Sequence, residues 1–404
     1  NVAGRPRGGL VTSPEPFGHP EEQKLVLADG RQAYGLVVPA VPALAVMNLI
    51  ENSVHVPAGA LSVSERHIEN ERLTVRFDDA GRIASIRDKK TGREVLKPGR
   101  AGNRLQAFRD MPAQFDAWDI DSDFEDQAFE IDALVGAEVV ERGPLRAAVR
   151  FEWRYESSRI VQVVSLEAGA RQVEIDCFID WHEHNTLVKA AFPLDLNTAA
   201  VDAEIQFGHV RRASHRNTSW DRARFECSMQ RWIDIGEPDF GVALLNDCKY
   251  GYDAKGTDIR VTLLRSPTYP WPEADQGEHR FRYAVMVHDG DKLAVHEAAE
   301  DFNLPLRLIY GGEGGETPPP LLSVETPGIA LEAVKQAEEG EGIVVRLWEV
   351  TGVRRTARIM VDPAIRTAEM VDLLERERRP LALDGGALTL AFAPFEIVTL
   401  MLRG

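Results

Sequence analysis

The residues that could do chemistry lie in three short segments rich in polar and aromatic residues, with two further short segments added to them. They are Phe115-Asp116-Ala117-Trp118-Asp119, His215-Arg216-Asn217-Thr218-Ser219-Trp220-Asp221, Asn246-Asp247-Cys248-Lys249-Tyr250-Gly251-Tyr252-Asp253, Leu264-Arg265-Ser266-Pro267 and Asp275-Gln276-Gly277-Glu278-His279. Sugar recognition uses this mixture, because carboxylates, amides and guanidinium groups hydrogen-bond hydroxyls while an aromatic face packs on the C–H face of a pyranose. The competing reading is that such residues bond within their own loops and fill gaps between sheets. Glycoside hydrolysis needs two carboxyl groups about 5 to 10 Å apart, and 64 acidic residues do not single out a pair.

Other chemistries have weaker support. Trp181-His182-Glu183-His184 would put two imidazoles on one face if the segment were a strand, but no third ligand is evident and no metal is expected there. His296-Glu297-Ala298-Ala299-Glu300 lacks the second histidine of a zincin helix and reads as the side of an amphipathic helix. No P-loop, dinucleotide fingerprint or G-x-S-x-G elbow is present.

The elements that must position these residues are mostly strands. Leu73, Val75 and Phe77 alternate with polar neighbours, Asp78 to Gly81 turns the chain, Arg82 to Arg87 returns and Asp88 to Gly92 turns it again. Further strands are expected at Arg146–Tyr155, Ile160–Leu166, Gln172–Trp181, Gly241–Leu245, Ile259–Leu264, Arg280–His288, Gly342–Trp348 and Ile397–Leu402, a succession that points to sandwiches. One helix is expected over Lys292–Phe302, and residues 330–339 have helical propensity. Gly311 to Pro320, with Gly-Gly-Glu-Gly-Gly before Thr-Pro-Pro-Pro, reads as a linker, and a softer boundary lies near Pro57 to Leu61.

Composition narrows the function classes. The 404 residues carry 47 Lys and Arg against 64 Asp and Glu, a net charge of −17, so a nucleic-acid surface is not expected. Arg376 to Arg379 is the one dense basic stretch and reads as a solvated loop. Ala33 to Ile50 is apolar, but Gly35, Pro39 and Pro42 argue for buried strands over a membrane span. Three cysteines, with no C-x-x-C spacing, favour a reducing, cytoplasmic compartment.

The polar and aromatic segments, together with Glu204 to His209, Gly241 to Leu245, Ala274 to His279 and the terminal Pro394-Phe395-Glu396-Ile397, resemble in order the C-terminal region of glycoside hydrolase family 38 α-mannosidases, nearest the cytosolic or vacuolar branch. The resemblance implies an all-β fold: a large supersandwich similar to galactose mutarotase, flanked by a small N-terminal β-sandwich and a C-terminal β-domain. It divides the chain at 1–62, 63–310, a 311–320 linker and 321–404, and makes 330–339 an edge strand and turn. It also implies retaining hydrolysis of terminal α-mannosides in an upstream catalytic domain that holds a divalent metal, usually zinc in the family, and is followed by a helical segment. None of that machinery matches this chain, which opens at Asn1 without a signal-peptide pattern and is expected to be the C-terminal portion of a longer protein, without a cofactor or catalytic residue of its own.

By the same resemblance, the substrate-binding residues are Asp116, Trp118, Asp119, His215, Arg216, Asn217, Trp220, Asp221, Asp247, Tyr250, Tyr252 and Arg265, with Asp275 and His279 beside them. Expected partners are an α-mannoside or oligosaccharide, the upstream catalytic and helical domains, and a second copy of the chain in a homo-oligomer; neither nucleic acid nor a membrane is expected. One rival reading is a free-standing carbohydrate-binding protein on the same fold. Another is a mutarotase-type epimerase, for which His209 or His215 could be paired with Glu226.

Overall fold

In a computed structural model, residues 1–49, 52–57, 59–309 and 320–404 are described. The expected linker therefore lies, except for Pro320, outside the described residues. Two antiparallel sheets dominate. The nine-stranded sheet runs in the order Leu134–Arg142, Arg146–Tyr155, Ser158–Glu167, Gln172–Trp181, Gly277–His288, Phe240–Asn246, Trp232–Glu237, Ala200–Ile205, Gly208–Ala213. The six-stranded sheet has the order Cys227–Ser228, Gly251–Lys255, Asp258–Arg265, Thr186–Pro193, Arg104–Arg109, Ala128–Glu130.

Strand alternation builds the core between them. Ile175, Cys177, Ile179 and Trp181 point inward from one strand, while Val188, Ala190 and Phe192 face them from the other sheet. A four-stranded meander over residues 62–88 seals the same core with Ile68, Leu73, Val75, Phe77, Ile83 and Ile86. Its turns use the expected chemistry: Asp78 Oδ1 accepts the amides of Ala80 and Arg82, and Gly81 sits at φ +77°, where a Cβ would come within 2.8 Å of Trp153.

The outer face of the nine-stranded sheet is covered as well. Residues 7–41 form a three-stranded sheet, and Ala28 packs from it against Ala148, Val161, Val163 and Phe178. Phe178 thus lies on the face opposite Trp181, because residues three apart on a strand point to opposite sides; it is buried, but outside the space between the two large sheets. The helix Lys292–Asn303, capped by Asp291, lays Val295, Ala299 and Phe302 on Trp232, Leu245 and Ala284.

Residues 321–404 build a three-stranded and a five-stranded sheet around a core that includes Leu347, Ile359, Leu388 and Leu400. Ile329–Gln336 is a strand, so pairing with Ile343–Glu349 overrides its helical propensity. Arg378–Leu381 is an exposed edge strand, not a loop, held by its pairing with Thr367–Val371. These sheets meet the sandwich through rings: His209 lies edge-on to Phe395 at 5.0 Å and His296 edge-on to Trp348 at 5.4 Å. The apolar stretch at 33–50 contributes the strand Gln32–Val41, and no helix among the described residues is long and apolar enough to cross a membrane.

Two predictions follow from this packing. Trp181 is fully buried and donates its indole N–H to Ser266 Oγ at 3.2 Å, so Trp181→Ala should cost about 3 to 5 kcal/mol in denaturant unfolding; an unchanged midpoint would contradict the packing. Burial first, then the charge of Lys292, holds the His209 imidazole below its ordinary value against the pull of Asp202, Asp234 and Glu349. A proton excluded by the fold makes the His209 contribution complete above an unfolded value of about 6.5, and it is lost as pH falls from there through the lowered folded value. Unfolding measured from pH 7 downward should show a shallower acid loss in His209→Leu than in the unsubstituted protein.

Candidate functional site

The expected site residues fall on loops and strands of the two large sheets, and they form three groups. The first is built on the 110–127 connection, which carries Asp116, Trp118 and Asp119. Phe115 adopts φ +56°, and its carbonyl accepts the amides of Trp118 at 2.8 Å and Asp119 at 2.9 Å, which folds the loop back on itself. The Asp116 carboxylate receives the Thr268 amide at 2.6 Å, the Thr268 hydroxyl at 3.1 Å and the Tyr269 amide at 2.9 Å, latching the 266–276 loop to this one.

Arg265 makes the second tie. Its guanidinium donates to the Asp110 carboxylate and to the Asp119 carbonyl, while its amide donates to Asp275 Oδ2 at 3.0 Å. His279 Nε2 reaches the Asp275 carbonyl at 2.8 Å. Asp110 is almost wholly buried, and burial pushes its carboxyl up despite the pull of Arg265. Asp116, Asp119, Arg265, Asp275 and His279 are therefore one bonded constellation, from which the ring of Trp118 projects 65% exposed. The same connection bounds a cavity of about 260 Å³ lined by Arg109, Asp110, Met111, Asp121, Asp123 and Asp126, among others.

The second group lies on the 214–228 segment, along the outer face of the six-stranded sheet. Arg216 Nη1 donates to Glu125 Oε2 at 2.9 Å, and Glu125 also holds Arg260. Burial alone would raise the Glu125 carboxyl, but Arg260 and Arg216 together keep it below its ordinary value. Asp221 closes a capping box with Thr218, with 2.8 Å between the Thr218 hydroxyl and Asp221 Oδ2. His215 Nδ1 is 3.4 Å from the same Asp221 oxygen. Asn217 and Trp220 are exposed, Trp220 at 77%.

The third group follows the strand Phe240–Asn246. Asp247 Oδ1 accepts the Arg282 amide at 3.0 Å, and the Tyr250 carbonyl accepts the Met229 amide at 2.8 Å, leaving the Tyr250 ring half exposed. Among the described residues no hydrogen bond or ion pair joins Asp247 or Tyr250 to the Arg265 constellation. Tyr252 departs from expectation. It is 1% exposed within the sandwich core, because alternation along Gly251–Lys255 turns it inward, and its hydroxyl accepts from Arg212 at 3.0 Å. Burial pushes its phenol up to about 12.

Sequence reasoning passed over the residues that hold these loops. Lys189, with no exposed side-chain surface, pairs with Glu226 and with Asp253 at 2.9 Å, and bonds Thr262 Oγ1 at 3.0 Å. Nothing in Thr186–Pro193 signals this, since all eight residues are buried and the strand shows no alternation. Tyr269 and Trp271 were also passed over, although a proline at 267, 270 and 272 beside each ring is a legible sign of a stiff loop. His182 and His184 lie just beyond the end of Gln172–Trp181; His182 pairs with Asp180 at 3.0 Å, and no group of three or more His, Cys, Asp or Glu among the described residues could hold a metal. Glu226 is occupied by Lys189 and Thr262, and His209 by its ring contacts, so the epimerase pairing has no geometric support.

Two sandwiches, a meander and a face of latched loops define a multi-sandwich β-region of the kind found in glycoside hydrolases. The model of the glycosyl hydrolases family 38 C-terminal domain matches residues 68–273, and that of the family 38 C-terminal β-sandwich domain matches residues 328–400. The chain belongs to glycosyl hydrolase family 38 and is a C-terminal region of that family. It is 34% identical over 414 residues to alpha-mannosidase 2C1 of Mus musculus, covering 98% of this chain and 40% of that protein. The alpha-mannosidase 2C1 of Homo sapiens is 36% identical over 83% of this chain and 33% of its own length. The chain thus spans less than half the length of these relatives. The crystal structure of an alpha-mannosidase from Enterococcus faecalis V583 superposes with a TM-score of 0.74 at 17% identity, over all of this chain and 55% of that one, which supports the fold.

The latch gives a direct test. Asp116→Ala should leave the sandwich intact but free the 266–276 loop, so amide exchange at Thr268 and Tyr269 should accelerate by at least tenfold, about 1.4 kcal/mol of lost protection. Unchanged exchange would show that the loop is held by other contacts.

Proposed function

We propose that this chain is the noncatalytic C-terminal β-region of a retaining exo-α-mannosidase. Its loops complete the wall of a substrate cleft whose chemistry belongs to a catalytic domain earlier in the same protein. The observation that carries the reading is the Arg265 constellation: two loops locked to each other by Asp116 and Arg265, with rings and the Asp119 carboxylate turned outward. Such a wall binds and orients hydroxyls, so remote contacts lower a barrier that is set elsewhere.

In this reading the chain divides at 1–62, 63–310 and 321–404, and its partners are the upstream catalytic and helical domains and an α-mannoside or oligosaccharide. The divalent metal that the family resemblance implies, zinc in our reading, belongs to that upstream domain. A cytoplasmic location accords with three unpaired cysteines, and self-association through the domain-facing side is part of the proposal. As sites we retain Asp116, Trp118, Asp119, Arg265, Asp275 and His279 as the cleft wall, and His215, Arg216, Asn217, Trp220, Asp221, Asp247 and Tyr250 as its flanks.

The test compares the chain with the full-length protein. The full-length protein should hydrolyse an aryl α-mannoside and the isolated chain should not, with or without zinc or cobalt. Mannose should bind the isolated chain weakly, since half the contacts are missing. In the full-length protein, Asp119→Ala should lower kcat/KM about tenfold, or roughly 1.4 kcal/mol of transition-state binding. Tight mannose binding by the chain alone would instead favour a free-standing sugar-binding protein.

A further inference from the structure

The 266–276 loop carries two large rings that no part of the described structure uses. Tyr269 is 67% exposed and Trp271 is 63% exposed, and Phe115 and Trp118, on the loop latched to theirs, are 61% and 65% exposed. Among the described residues none of the four stacks on another ring or takes a cation over its face. Leaving four rings in water is costly unless something covers them, because an exposed aromatic forgoes most of its transfer free energy.

The loop is also stiff before anything binds. Pro267, Pro270 and Pro272 fix three φ angles around the two rings, and the Asp116 latch holds the Thr268 and Tyr269 amides. A platform ordered in advance loses little entropy on binding. The surroundings identify the ligand. Asp119, Glu273 and Asp275 are exposed beside the rings, and the polar cavity at Arg109 and Asp121 opens on the same connection. The centre of a protein–protein interface is depleted in charge, whereas rings flanked by carboxylates match a pyranose, with its apolar C–H face and rim of hydroxyls.

We infer that Tyr269 and Trp271 form a stacking platform for the saccharide on the leaving-group side of the scissile bond, and so set a preference for oligosaccharides over simple mannosides. The inference rests on the cleft-wall reading and adds to it a ligand class and a role for residues outside the expected set. The terminal mannose goes to the catalytic domain; the platform takes the sugar that departs.

The experiment uses the full-length protein and two substrates that differ in the leaving group: an α-linked mannobiose, which departs as a sugar, and α-mannosyl fluoride, which departs as an ion with no ring. Trp271→Ala and Tyr269→Ala should each lower the kcat/KM ratio of mannobiose to fluoride by about three- to tenfold, chiefly through KM, and Trp271→Phe should retain most of the ratio. A ratio unchanged by both alanine variants overturns the inference. So does an equal fall for both substrates with a lower Tm, which would make the rings a docking face for the upstream domain. An unsubstituted full-length protein that turned over neither substrate would remove the cleft-wall reading itself, and this inference with it.

Discussion

The geometry of the loop face depends on one buried ammonium group. Lys189 stands at the middle of the strand Thr186–Pro193 on the outer face of the six-stranded sheet, with no exposed side-chain surface. Leaving that charge unpaired would cost several kcal/mol, so Glu226 and Asp253 must stay beside it. Asp253 belongs to Gly251–Lys255, separated from this strand in the sheet by Asp258–Arg265, but Glu226 comes from the 214–228 segment, which is thereby pinned across the sheet. The chain of charges continues from Asp253 to Arg260 and from Arg260 to Glu125 and Arg216, so the 110–127 connection is tied to the same array. The rings of Phe108 and Phe124, each about 5 Å from the Arg260 guanidinium, close the array from water.

Such an array contributes position more than stability. A buried ion network of this kind is often matched in free energy by apolar residues of the same volume, but apolar residues would let the loops slide, whereas directed bonds fix their register. The same logic applies at the sandwich rim, where Asp116 and Arg265 spend their hydrogen-bonding capacity on the neighbouring loop. The outcome is a surface whose polar groups are mostly bonded inward and whose rings are turned outward, an arrangement suited to recognising a flat, partly apolar solute.

How much of this was legible follows from the pattern and the polarity of each strand. Arg146–Tyr155 and Gln172–Trp181 were read to the residue because their alternation survives and turns bound them. Thr186–Pro193 was not read: like the equally buried Phe240–Asn246 it shows no alternation, but unlike that strand it carries a lysine, which argues against a core strand until the paired carboxylates are known. Residues 330–336 misled propensity but not resemblance. At the site, Trp118, Asp119 and Arg265, which the resemblance grouped, lie in one constellation, whereas Tyr252 turned inward through a parity that sequence could not assign without the strand bounds. Tyr269 and Trp271 lie outside the segments that mix rings with polar groups, and their informative feature is prolines alternating with rings.

A consequence concerns how substitutions at this face are to be interpreted. Arg265 compensates the buried Asp110 carboxyl, so removing it leaves an unpaired buried group and a freed Asp119 carbonyl; any loss of activity would then mix lost binding with a relaxed loop. Asp247 raises a similar difficulty, since its carboxylate accepts the Arg282 amide. Rings that project without internal partners carry no such ambiguity, because truncating them removes contact area and little else. Several charged residues of this face, Asp116, Arg265 and Asp110 among them, thus hold its loops together, while Trp118, Tyr269 and Trp271 project from it with their rings exposed.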